Sequence, residues 1–370
     1  MSAVEDPFAS GERAVYVRMS EVTPRKIEWL WQDRVAIGKP TIVAGDPGLG
    51  KSIITNAYMA AVVSLGGRWT DGACCQRGSV IIVSGEDDPE DTLYPRLHAA
   101  GADMSRIYFL RCIGSGEEGG GGEGKTRSFT LADVQILREM LGALGDVRLV
   151  VIDPIGAFVG SSDSHNNAEV RGLMAPIATL AAETRAAFVL VAHLNKGGGK
   201  GTSTTAVYRI AGSLAFAAAA RTVWGVIKDP DDPKRRLFLP IKNNIGADSD
   251  NGLAYKVIDA GPSGVFTSRP MINWEAGAVQ LSADDVMDSP RGGPRGPRPV
   301  ARNTAKQWLE GFLKTGPQKS DAVRAAAHAE GHKGITLQRA KRELGVLTDA
   351  AKPYWWRLPE PFPPGKVPTE

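Results

Sequence analysis

Gly45-Asp46-Pro47-Gly48-Leu49-Gly50-Lys51-Ser52 is the stretch whose reading decides the fold. It satisfies G-x-x-x-x-G-K-[ST] at every fixed position. The short apolar run Thr41-Ile42-Val43-Ala44 precedes it and a helix-like run, Ile53 to Leu65, follows, so the motif sits in the strand, turn, helix order that it requires. The glycines let the backbone curl so that successive N–H groups face phosphate oxygens, and the helix N-terminus adds its partial positive charge. Lys51 would reach the β- and γ-phosphates of ATP, and the Ser52 hydroxyl would hold Mg²⁺. The competing reading, a glycine-rich turn that matches by accident, has to ignore both flanking elements.

Outward from this loop, buried parallel strands and their carboxyl ends supply the remaining chemistry. Gly78-Ser79-Val80-Ile81-Ile82-Val83-Ser84 is a continuous apolar run of strand length, as expected for a strand covered on both faces. It leads into Gly85-Glu86-Asp87-Asp88-Pro89. Chemistry in α/β sheets sits at such strand ends, so Glu86 is the candidate to orient the attacking water, with Asp87 as competitor. The same residues also read as a helix start, with Asp87 or Asp88 capping ahead of Pro89. Val147 to Asp153 repeats the pattern, four apolar residues ending in an acid, and places Asp153 where it can bind Mg²⁺ through water or through Ser52. Ala187 to Ala192 is a further strand, ending at His193. His193 is either a γ-phosphate sensor or an ordinary structural histidine. Behind it, residues 196–205, with Lys196 and Lys200, form a candidate loop for touching a polyanion.

Elements between and after these strands are read more coarsely. Helices are expected over Thr92–Ala100, Leu131–Leu144, Val170–Arg185 and Arg209–Arg221, and a strand over Arg106–Arg111. Residues 114–127, rich in glycine and glutamate, read as a surface loop without periodicity. Thr222–Ile227 and Arg236–Ile241 read as a hairpin, flanked by Arg221 and Lys242. These two cations are candidates for contacting a phosphate from a neighbouring subunit, or they are solvated surface charges. Trp29 and Trp31 either pack beside a base or anchor the edge of the domain.

Composition narrows the alternatives. The 370 residues allow two domains, or one with an appendage, and 42% hydrophobic against 23% charged residues suits a packed core rather than a disordered chain. Cys74, Cys75 and Cys112 lack metal-ligand spacing and point to ordinary thiols in a reducing compartment. No run approaches the roughly 18 apolar residues of a membrane span, and Glu5 and Asp6 do not suit a signal peptide. A cytoplasmic protein with no membrane partner is expected. Residues 291–370 carry 15 Lys or Arg against 7 Asp or Glu. With a net charge of +3 overall, that leaves −5 for the first 290 residues, and a basic tail is compatible with a nucleic-acid contact.

Residues 29 to about 275 resemble the RecA-like ATPases of the DnaB and plasmid RepA type, in particular the RepA-like AAA ATPases of plasmids, phages and integrated elements. The resemblance rests on the ordered set 45–52, Ser-Gly-Glu-Asp-Asp-Pro (84–89) followed by Arg96-Leu97, Val-Ile-Asp-Pro (151–154), Val-Ala-His-Leu-Asn-Lys (191–196), Gly-Ser (212–213) before Arg221, and Lys-Asn-Asn (242–244). It implies a catalytic glutamate at Glu86, a metal-linked aspartate at Asp153, a sensor at His193 and an arginine finger at Arg221 that reaches the next subunit. A second trans-acting cation at Lys242 and a homo-oligomeric ring, usually a hexamer, with ATP at its interfaces are further implications. The 114–127 segment departs from the family pattern.

Asp284 to Val300 reads as a flexible proline-, glycine- and arginine-rich linker, and residues 284–302 are taken as the domain boundary. Beyond it, helices over Ala305–Leu313, Lys319–Ala329 and Thr336–Leu344, with Thr336 as N-cap, precede a closing strand at Tyr354–Leu358. This order resembles a winged helix-turn-helix over 303–360, whose third helix carries Arg339, Lys341 and Arg342. A protein-contact module of the same shape is the alternative. The expected architecture is thus an α/β, RecA-like P-loop NTPase core with a mainly parallel sheet and a small C-terminal winged-helix-like domain. The expected function is an ATP- and Mg²⁺-dependent motor on single-stranded DNA in a ring channel, with duplex DNA at the C-terminal module, or else a DNA-binding ATPase switch.

Overall fold

The computed structural model describes residues 17–115, 125–160, 166–194, 206, 214–246, 251–287, 299–332, 334–349 and 354–359. Its centre is a ten-stranded sheet built from β1 (Pro40–Gly45), β2 (Ser79–Ser84), β3 (Ile107–Phe109), β4 (Val147–Asp153), β5 (Ala187–His193), β6 (Thr222–Lys228), β7 (Arg235–Asn243), β8 (Asn251–Asp259), β9 (Pro270–Trp274) and β10 (Val279–Gln280). The order is β9-β8-β7-β6-β1-β5-β4-β2-β3, with β10 pairing β8. From β6 to β3 all neighbours are parallel. β7, β8 and β9 continue the sheet by antiparallel pairing.

The parallel strands read as unbroken apolar runs because both faces are covered. Along β1 the side chains alternate: Ile42 and Ala44 join the cluster under α3 (Val134–Leu144), α4 (Asn167–Thr184) and α5 (Leu214–Ala219). Val43 turns to the opposite cluster, under α1 and α2. Helix α1 is π-wound over Ile53–Met59 and α-helical over Ala60–Leu65, and α2 likewise runs through Pro89–Leu93 and Tyr94–Ala99. Three layers therefore enclose two cores. The second core contains Trp31, fully buried and stacked on Trp69 at 4.7 Å. Its indole N–H donates to Asp71 at 2.9 Å, and the Arg34 guanidinium lies over its ring at 5.1 Å. Trp31 thus anchors the domain edge.

Several expectations need adjustment. Helix α3 begins at Val134 rather than Leu131, because the Leu131 N–H is spent on the Phe158 carbonyl at 2.7 Å and Asp133 closes a turn on Thr130. The segment read as a structureless loop pairs its ends, Ile113–Ser115 against Lys125–Arg127, and residues 116–124 lie outside the described residues. So do the whole 196–205 loop with Lys196 and Lys200, and the Gly212-Ser213 step. Arg221 falls after α5, at the lead-in to β6. The start of the segment read as linker forms helix α6 (Ala283–Met287), whose Val286 and Met287 are buried in the main core.

Beyond residue 298 stand α7 (Pro299–Leu313), α8 (Ser320–Ala329) and α9 (Gly334–Glu343), with a small antiparallel sheet of β11 (Gln318–Lys319), β12 (Leu347–Thr348) and β13 (Trp355–Arg357) in the order β11-β13-β12. Leu309, Leu313, Val323, Leu337, Ala340 and Trp356 form its core. Helix α9 starts at Gly334, so Thr336 lies inside it and is not the N-cap. Its Gln338 amide donates to the Gln280 carbonyl at 3.1 Å and Arg339 pairs with Asp231, which ties this unit to the large sheet. Among the described residues no helix is long and apolar enough to cross a membrane.

Candidate nucleotide site

The carboxyl ends of β1, β2, β4 and β5 bring the site together. Gly45 pairs in register with His193, and Ser84 with Asp153, so the strand-end residues face one another across the sheet edge. Beyond β1, Gly48 and Gly50 take left-handed backbone conformations at φ +73° and +90°, which side-chain-bearing residues rarely adopt. Between them, the Leu49 carbonyl accepts the Tyr255 hydroxyl at 2.7 Å, pinning the loop Gly45, Asp46, Pro47, Gly48, Leu49, Gly50 from β8.

Lys51 is only 5% exposed, and its ammonium donates back to the Asp46 carbonyl at 3.1 Å. Burial pushes its pKa down, against the pull of Asp153, Glu86 and Asp46. An ammonium with three donors in a glycine-lined loop suits a phosphate, which supplies the missing acceptors and charge. Asp153, 3% exposed, receives the Asn56 amide at 2.8 Å and has the Ser52 side chain beside it. Burial pushes its carboxyl pKa up, the Ser52 hydrogen bond opposes this, and the Asp87 charge adds to it. Among the described residues no group of three or more His, Cys, Asp or Glu is arranged to hold a metal. The hard oxygens of Ser52 and Asp153 suit Mg²⁺ bound jointly with substrate phosphates, a cation that would neutralise charge on the phosphates.

The two competing carboxylates separate clearly. Asp87 is held by Arg96 at 2.7 Å, with both side chains largely covered. Asp88 accepts the Glu90 N–H at 2.8 Å and caps α2 ahead of Pro89. Glu86 is exposed and neither caps the helix nor pairs with Arg96; its Oε1 lies 3.5 Å from His193 Nε2. The other ring nitrogen, Nδ1, lies 3.5 Å from Lys51 Nζ. His193 therefore stands between the phosphate lysine and the carboxylate that can accept a water proton. Helix cap and candidate catalytic acid are different residues, so both sequence readings stand together.

Arg221 and Lys242 are not in this cluster. The Arg221 N–H bonds the Pro40 carbonyl at 3.2 Å, at the amino end of β1, whereas the loop leaves its carboxyl end. The Arg221 side chain is exposed. Lys242 donates to the carbonyls of Ala217, Ala218 and Ala220 at 2.7, 3.3 and 2.8 Å, closing the C-terminus of α5, where a cation complements the helix dipole. Within its own chain the ammonium is thus engaged at this helix end. Sequence reasoning passed over Asn56 and the Arg96 partner of Asp87. A polar residue four positions after Ser52 in an apolar helix is the signal that would have found the first.

A glycine cradle, a buried lysine, a hydroxyl beside a buried strand-end aspartate and an exposed glutamate across from them define a P-loop nucleotide-binding ATPase. In agreement, a family model described as an AAA domain matches residues 7–199, just over half of the chain, and the chain belongs to that family. The match takes in every residue of the cluster but stops short of Arg221 and Lys242. No curated protein matches the chain.

Proposed function

We propose that this ATPase works as an oligomeric motor on DNA, of the kind represented by RepA-like replicative helicases. The observation that carries the proposal is the placement of Arg221: exposed and at the sheet end opposite its own phosphate loop, it is placed away from its own subunit's nucleotide, and as a finger it would serve that of a neighbouring copy. ATP would then lie at subunit boundaries, with Lys51, Ser52 and Asp153 holding phosphates and Mg²⁺, Glu86 aligning water and Arg221 of the next copy neutralising developing charge. The unit beyond residue 298 supports a DNA role, since three helices and a three-stranded sheet in this order suit a winged helix. ATP turnover with and without single-stranded DNA, together with the assembly mass by light scattering, tests the reading. DNA-stimulated turnover in a ring-sized assembly, abolished by Lys51→Ala, is expected. DNA-indifferent turnover by a monomer or dimer would overturn the motor.

A second reading, a DNA-binding ATPase switch, draws on the docking of α9. Gln338 and Arg339 of the helix that would enter a major groove are occupied by Gln280 and Asp231. A module engaged in this way would bind duplex only after release, and sequence-specific duplex binding without unwinding would favour this reading.

A further inference from the structure

We propose that Asn56 is a positioning residue for Mg²⁺-nucleotide, acting through Asp153. The inference rests on the ATPase reading and deepens it. Ser52 and Asn56 are four residues apart at the start of α1, a spacing that places both on one helix face; Asn56 hydrogen-bonds the Asp153 carboxylate and Ser52 lies beside it. Asn56 is completely buried, in a turn where Ile53, Ile54, Ala57 and Met59 are buried and apolar and Thr55 is the other buried polar residue. A leucine would fill this place without burying a polar group, so packing alone does not call for an amide.

The orientation of the amide is set by its neighbours. The carboxylate oxygen Asp153 Oδ2 is an acceptor and takes the amide nitrogen at 2.8 Å, which turns the amide oxygen toward Thr55 Oγ1 at 3.3 Å. The single Thr55 hydroxyl proton also faces the Lys51 carbonyl at 3.1 Å, so this hydroxyl links the amide to the phosphate-binding turn. Asn56 thereby occupies one carboxylate oxygen and fixes the carboxylate plane. The remaining lone pairs are left for the Ser52 hydroxyl and the shell of an arriving metal. Partners that orient a metal-facing carboxylate typically change metal affinity 10- to 100-fold.

The test is the affinity of a fluorescent ATP analogue, measured in EDTA and again with Mg²⁺, for wild type, Asn56→Leu and Asn56→Ser. Leucine keeps the volume and removes the donor; serine guards against a leucine variant that fails to fold. Both variants should bind the analogue as wild type does in EDTA. The gain in affinity conferred by Mg²⁺ should fall about tenfold or more. A folded variant that keeps the full Mg²⁺ gain overturns the proposal, and so does an equal loss with and without Mg²⁺, which would indicate a purely structural role. A wild-type protein that binds no analogue would instead overturn the ATPase reading itself.

Discussion

Replacing Arg221 with alanine should separate nucleotide binding from hydrolysis in a way that only a shared site allows. The Arg221 N–H is fixed to Pro40, and the phosphate loop begins five residues further along β1, a distance of about 17 Å in an extended strand. Arg221→Ala should therefore leave ATP affinity unchanged in its own subunit. Turnover should drop by about 10³-fold or more, the range measured for arginine fingers. Glu86→Gln should also bind ATP and turn it over poorly, for lack of the water-aligning carboxylate. When the two variants are co-expressed in equal amounts, an interface is competent only if an Arg221→Ala subunit contributes the nucleotide side and a Glu86→Gln subunit contributes the arginine. Random assembly with independent interfaces makes roughly a quarter of them competent, so turnover should recover to about a quarter of wild type. Steady-state phosphate release on the purified mixture reads this directly. A mixture no more active than its components would refute the trans placement.

Two further predictions concern stability. A Cβ on Gly45 would lie 2.5 Å from the Val226 carbonyl oxygen and 3.0 Å from Val226 Cβ, so Gly45→Ala should destabilise the sheet by about 1–3 kcal/mol; a urea midpoint equal to wild type would contradict the close approach of β1 and β6. Lys341 donates to Thr348 Oγ1 at 2.6 Å and lies 4.3 Å from the Trp356 ring, and burial pushes its pKa down to about 8. Between pH 8 and its ordinary value of 10.5, the unfolded chain holds the proton that the folded chain has released, so this group makes stability rise with pH across that window. Lys341→Met should abolish the rise relative to wild type in denaturation followed from pH 7 to 10.

The parallel half of the sheet was legible because strands covered on both faces must be apolar throughout, and because Asp153 and His193 interrupt such runs at their ends. Glu86 was legible as the first of three neighbouring acids; what the sequence did not show is that Asp87 is taken up by Arg96, whose guanidinium reaches back from α2. The carbonyl partners of Lys242 were not legible because they lie at the end of α5, more than twenty residues earlier, and a helix end carries no sequence signature in an alanine run. Helix α6 was hidden by the composition around it; Ala283, Val286 and Met287, meeting the main core, hold it in place. The strand pair at 113–127 escaped because its pairing is made by backbone groups, which glycine-rich flanks do not advertise.

Strand β5 lies between the strand that carries the phosphate loop and the strand that carries Asp153. Neighbouring strands are held about 4.8 Å apart by their backbone hydrogen bonds, so the two halves of the site stand about 10 Å apart. That width is set by the peptide backbone, and no exchange of side chains can retune it. The sheet works as a gauge block: substitutions can alter how firmly the gap is gripped from either side, while its span is as constant as the hydrogen bond that measures it.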